Sequence, residues 1–186
     1  MSGEQAVARA TEELSSSVDE ALDGATFEAR ARARVEALEA EVDLDAMTLV
    51  FDVIRLATRL IQDLEARVHR PAGWSWAGFR VLFSLWVVGA LSPRAIARLS
   101  GVSRAAVSSV LNTLERDGLV ERRREAPDRR RVTVHLTPRG RMRLRRAYPD
   151  HNRRESEWAA ALPRRDQRLL TDLLRRLLDQ HPPRDG

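Results

Sequence analysis

Residues 92–118, SPRAIARLSGVSRAAVSSVLNTLERDG, restrict the fold more than any other stretch, because their punctuation fits two short helices joined by a tight turn. Ser92 can cap the first helix, and Pro93 suits its first turn, where a missing backbone N–H costs nothing. Ile96 and Leu99 are expected to face inward, and small Ala97 lets a second helix cross closely. Gly101 falls at the turn, where only glycine adopts a positive φ cheaply. Ser103 then caps a second helix running to about Asp117, with Gly118 at its stop.

That second helix has two faces. Val107, Val110, Leu111 and Leu114 recur at helical spacing and require burial. Ala105, Ser108, Ser109, Asn112 and Arg116 share the opposite stripe, flanked by Arg104, with Ser103 at its start. Side chains this small or this able to hydrogen-bond let a helix sit deep in a major groove and read base edges. A helical hairpin with a solvated polar face has the same pattern, so the pair alone leaves both readings open.

After Gly118 the period changes to two. Residues 119–122 read as one short strand and Val132, Val134 and Leu136 as the inward side of a second. The basic stretch RREAPDRRR lies between them. Helix pair, strand, basic loop and strand make a winged helix. Thr137 and Pro138 then cap another helix, which Pro149 should kink. A final helix repeats leucine at positions 169, 170, 173, 174, 177 and 178. Upstream, residues 1–25 are polar and lack a period, and a helix is expected over 26–42. Residues 44–69 read as one long helix with apolar residues on more than one side, which demands burial from two directions. Residues 75–90 form a largely apolar core helix. The expected class is mainly α with a small β-hairpin wing (α+β), a winged helix-turn-helix with a helical dimerisation region. The expected divisions are an arm (1–43), a dimerisation and core helix (44–74), a DNA-binding domain (75–140) and C-terminal helices completing the dimerisation region (141–186).

The charge is arranged in blocks. All 32 basic residues are arginine and the formal net charge is +5. Residues 1–52 hold 4 arginines against 13 acids, whereas residues 92–146 hold 15 arginines against 5 acids. A basic block around the helix pair points to a polyanionic partner for that part of the chain; a solvated arginine-rich surface is the competing reading. There is no cysteine, which excludes disulfides and thiolate metal sites. The opening residues lack a basic start and an apolar run, and no stretch reaches about 18 apolar residues. A cytoplasmic protein without membrane contact is expected.

With the wing in view, the chain resembles the multiple-antibiotic-resistance regulator (MarR) family of bacterial transcription factors. The resemblance rests on FRVLFSL (residues 79–85), ARLSGVSRAAVSSVLNTLERDGLVERR (97–123) and DRRRVTVHLTPRG (128–140) and covers roughly residues 44–180. It implies a homodimer whose first and last helices interlock, with Leu170, Leu173 and Leu177 in the seam. It also implies a palindromic duplex DNA partner, repression, and release by a small aromatic or phenolic effector bound between the dimer and DNA-binding regions. The same resemblance places Arg130 in the minor groove, with Asp128 bracing it and Arg129 beside it. Some urate-responsive branches of the family carry an extra N-terminal helix. The absence of cysteine excludes the peroxide-sensing thiol branch, and Arg80, where an acid would suit urate, argues against that effector.

Trp76, Arg80, Trp86 and His151 are the candidate effector contacts, since tryptophan near arginine suits a flat anionic ring. Trp74 and Trp158 belong to the same group, and simple core packing explains all four tryptophans equally. The histidines are spread over different elements without a close metal-ligand pair. No metal, no cofactor and no enzymatic activity is expected, because no phosphate loop, nucleophile elbow or dinucleotide fingerprint occurs. A winged-helix module that binds a protein rather than DNA is the alternative function.

Overall fold

The computed structural model describes residues 24–38, 41–124 and 132–180 of the chain. It divides into two compact units, residues 1–58 and 59–186. Asp128, Arg129 and Arg130 lie outside the described residues.

In the first unit, α1 (Gly24–Glu36) pairs with the opening turns of α2 (Leu44–Leu64). Asp43 caps α2, its carboxylate accepting from the Ala46 N–H at 2.9 Å. Arg55 ties the two helices together, donating to the Gly24 carbonyl, to Glu28 at 3.1 Å and to Asp52 at 2.6 Å. The Phe27 and Phe51 rings add an apolar contact at 5.7 Å. No residue of α1 is buried, and the helix is shorter than the expected 26–42.

The second unit carries the core. The long helix expected to reach His69 stops as an α-helix at Leu64 and continues as a π-turn, Glu65–His69. There the Arg70 N–H donates to the Glu65 carbonyl. The wider turn adds a residue without adding a full rotation, and Val68 and His69 are both buried. Next come α3 (Trp76–Val88), α4 (Pro93–Ser100) and α5 (Arg104–Arg116). Strands β1 (Val120–Arg124) and β2 (Val132–Leu136) pair antiparallel, with Val120 opposite Leu136 and Arg124 opposite Val132. Leu91 adds a one-residue bridge to Val134, joining the α3–α4 connection to the wing. The chain ends in α6 (Pro138–Ala159) and α7 (Arg164–Gln180).

One capping device recurs. Ser75, Ser92, Ser103 and Thr137 each accept a backbone N–H three residues on, at 2.9–3.2 Å, and so fix where α3 to α6 begin. Gly101 has φ 62° between α4 and α5, as the turn required. Leu82 and Leu85 of α3, Ile96 of α4 and Leu111 and Leu114 of α5 close around Leu119 and Val134. Each such side chain contributes about 1.5–3 kcal/mol on burial.

Leu99 departs from expectation. It is 47% exposed, because α4 directs Ile96 into the core and leaves Leu99 at the rim of an open cavity. The chain also runs helically through Pro149 without a break. Pro149 sits on the exposed side of α6, with Leu144 and His151 on the buried side. Among the described residues no helix is long and apolar enough to cross a membrane.

Candidate nucleic-acid interface and effector cavity

Helix α5 is amphipathic in the sense its sequence requires. Val107, Leu111 and Leu114 are buried, and Ser103, Arg104, Ala105, Ser108, Ser109, Asn112 and Arg116 are all exposed on the other side. The root of the wing is bolted to this helix. Arg122 of β1 donates to Glu115 at 2.5 Å and to the Asn112 side-chain oxygen at 2.8 Å, and its own backbone N–H donates to Glu115 at 3.1 Å. A guanidinium only donates, so the Asn112 oxygen must face it and the amide NH2 is left outward. Arg116 pairs with Asp117 at 3.4 Å.

A cavity of about 270 Å³ opens between α3, α4 and α6. Trp76, Phe79, Phe83 and Tyr148 supply aromatic walls, and Arg80 and His151 supply polar groups. Three of the four candidate effector contacts are therefore brought together. Trp86 is not among the lining residues; it packs behind Phe83 and Tyr148, with ring centres at 5.8 and 5.6 Å. The Arg80 guanidinium lies 5.9 Å from the Trp76 ring centre, and among the described residues it has no carboxylate partner. The other two tryptophans have structural roles: Trp74 is buried, and the Trp158 indole donates to Asp63 at 2.8 Å.

Two of the histidines come together, which the sequence did not suggest. The π-turn and α6 place the His69 and His151 rings 5.1 Å apart, both against Phe79 at 4.3 and 4.4 Å. His69 Nδ1 accepts from the Trp74 indole at 3.4 Å, and His151 Nε2 lies 3.0 Å from Glu155. His69 Nε2 and His151 Nδ1, both buried, have no hydrogen-bond partner. Burial pushes His69 down to about 4, with the nearby His151 adding to the shift and Glu65 opposing it. Burial also lowers His151, against the pull of Glu155. Both rings are neutral at pH 7. Among the described residues no group of three or more His, Cys, Asp or Glu side chains is placed to hold a metal ion.

Asp63 is a second feature the sequence did not reveal. It accepts from Arg67, Arg154 and the Trp158 indole, and the Arg154 guanidinium holds its carboxyl well below the usual carboxylate range despite desolvation. This node fastens the end of α2 to α6.

The depressed His69 pKa fixes a sign. The unfolded chain binds this proton near pH 6.5 and the folded chain only near 4. The stability from a neutral His69 is therefore complete above about pH 6.5 and lost as pH falls toward 4. Urea unfolding at intervals from pH 7 to 4.5 should show a loss of up to about 3 kcal/mol, which His69→Gln flattens. A level profile in the unsubstituted protein would contradict burial of a neutral ring.

The pattern that describes the MarR family matches residues 74–132. The Bacillus subtilis HTH-type transcriptional regulator YwaE is 36% identical over 138 residues, 74% of this chain and 81% of YwaE. The chain belongs to the MarR family. Among MarR-family structures, Sco3205 from Streptomyces coelicolor, solved in complex with DNA, superposes with a TM-score of 0.70 at 23% identity, covering 79% of this chain and 94% of Sco3205. PcaV from the same organism, solved with its natural ligand, gives 0.62 at 27% identity over 75% of this chain and 97% of PcaV. This chain is a MarR-family transcriptional regulator, and its fold and relatives are those of regulators rather than enzymes.

Proposed function

We propose that this regulator is a homodimeric repressor that grips a palindromic operator and releases it when a small aromatic anion binds. The observation that carries the reading is the α5 face: small and hydrogen-bonding residues outward, apolar residues inward, beside a wing root that Arg122 holds rigid. Ser108, Ser109 and Asn112 read base edges, Arg104 and Arg116 contact bases or phosphates, and Arg130 enters the minor groove with Asp128 as its brace. Residues 75–140 bind DNA, and the terminal helices pair the subunits. Leu170, Leu173 and Leu177, each about two-fifths exposed on a helix with no buried residue, form the seam. A one-ring carboxylate or phenolate suits the 270 Å³ cavity, which is below the usual range for drug-sized ligands. Its ring stacks among Trp76, Phe83 and Tyr148 and its charge meets Arg80.

The test maps where the purified protein binds in its own genome and then follows affinity for the recovered site by fluorescence anisotropy. Log affinity should fall linearly with log salt as phosphates are neutralised. Asn112→Ala should change which operator variants are preferred, by about 1–3 kcal/mol at the contacted pair. Arg122→Leu keeps Asn112 but releases its amide and Glu115, so it should shift the preference as well rather than weaken all variants alike. An unchanged preference with Asn112→Ala removes that residue from readout, and a flat salt response removes DNA as the partner.

A further inference from the structure

A second concavity, of about 560 Å³, lies between the loop after the π-turn and a different face of α6 from the one that lines the aromatic cavity. Five arginines border it: Arg67, Arg143, Arg146, Arg153 and Arg154. Three are spoken for. Asp63 takes Arg67 and Arg154, Glu157 takes Arg154 again, and Asp150 takes Arg153.

The other two differ. The Arg143 guanidinium lies 5.3 Å from the ring centre of buried Trp74 and donates to the Ala72 carbonyl. Gly73, at φ 87°, makes room for it: a Cβ there would meet the guanidinium at 2.7 Å. Arg143 is thus held in place by the loop without a carboxylate to neutralise it. Arg146, one turn further along α6, is exposed and has no carboxylate partner among the described residues. Residues three apart on a helix are neighbours on its surface. Two uncompensated guanidinium forks, one immobilised beforehand, therefore converge on one hollow.

We propose that this hollow binds a small molecule with clustered anionic oxygens, phosphate or carboxylate, bridged by Arg143 and Arg146. The planar fork of arginine matches either oxyanion in bidentate fashion. Preorganising Arg143 removes part of the entropy lost on binding. A flat ring is disfavoured here, because Arg143 already occupies the face of Trp74. The site is separate from the aromatic cavity, with Trp74 on one side and its hydrogen-bonded neighbour His69 toward the other.

Intrinsic tryptophan fluorescence and calorimetry on the full chain, at constant ionic strength, test this with sodium pyrophosphate and sodium citrate as separate probes. At least one should bind saturably, and the tighter one identifies the oxyanion class. Arg146→Ala should weaken it about tenfold or more, since a charge-assisted bidentate contact is lost. Arg145→Ala, next in the chain but outside the hollow, should change it by less than about twofold. Circular dichroism on both variants excludes unfolding. No saturable binding of either probe up to roughly 10 mM, a weak affinity by any standard, would overturn the proposal. Equal weakening by both variants would do so too, because it means general charge attraction.

Discussion

Leu173→Glu is expected to convert the protein to a monomer in sedimentation and to lower operator affinity by a factor of about 10²–10⁴, the avidity lost when two half-sites are no longer engaged together. Helix α7 exposes all six of its leucines and buries no residue. Leu170, Leu173 and Leu177 recur on one stripe, and a stripe of that length is not left to water in a stable monomer. Most of a helix's stability in a protein comes from packing its apolar face, and α7 has no buried residue to supply it. A carboxylate in the proposed seam would have to be desolvated as the subunits pair, whereas Arg175→Ala on the polar side should leave assembly intact. A well-folded monomer of the unsubstituted chain at micromolar concentration would refute the dimer.

Gly140→Ala should cost about 3 kcal/mol or more and lower Tm by roughly 10 °C. The reason is contact with backbone rather than φ. A Cβ at this position would run into the Leu119 carbonyl oxygen and stand 2.9 Å from its carbon. Neither side can yield. Leu119 is fully buried, and its carbonyl accepts from the Thr137 N–H at 3.1 Å. Thr137 Oγ1 in turn donates to the Gly118 carbonyl at 2.7 Å and caps the Gly140 N–H. The joint between α5, the wing and α6 is thus backbone packed on backbone. Arg139→Ala, exposed one residue earlier, should leave thermal denaturation unchanged. A Gly140→Ala protein with the original Tm would mean that the joint opens freely.

These two cases mark what a sequence discloses and what it hides. The caps at Ser92, Ser103 and Thr137, the turn at Gly101 and the two faces of α5 all depend on residues within a few positions of one another. Local chemistry is enough to find them. The LTPRG motif was visible as a pattern, but the reason for its glycine lies in Leu119, across the wing. The His69–His151 pair, the Asp63 node and the arginine hollow are assembled by α6 returning along the end of α2 and the π-turn. No local period records that return. Leu99 misled for the complementary reason: helical spacing says which residues share a face, not whether that face meets a neighbour or a cavity.

The Arg122 clamp has a chemical corollary for the operator. Arg122 pairs with Glu115 of α5 and takes the Asn112 side-chain oxygen, which leaves the Asn112 amide NH2 outward, and Asp117 is paired with Arg116. On the proposed reading, what α5 then offers to a major groove is Ser108, Ser109, an amide NH2 and guanidinium groups, a vocabulary dominated by donors. Guanine answers it with O6 and N7 and thymine with O4, whereas the cytosine amino group finds no free carboxylate to accept it. The strand that α5 follows should therefore be rich in guanine, and the base pairs tolerated there should be ranked by how many acceptors they turn toward the protein.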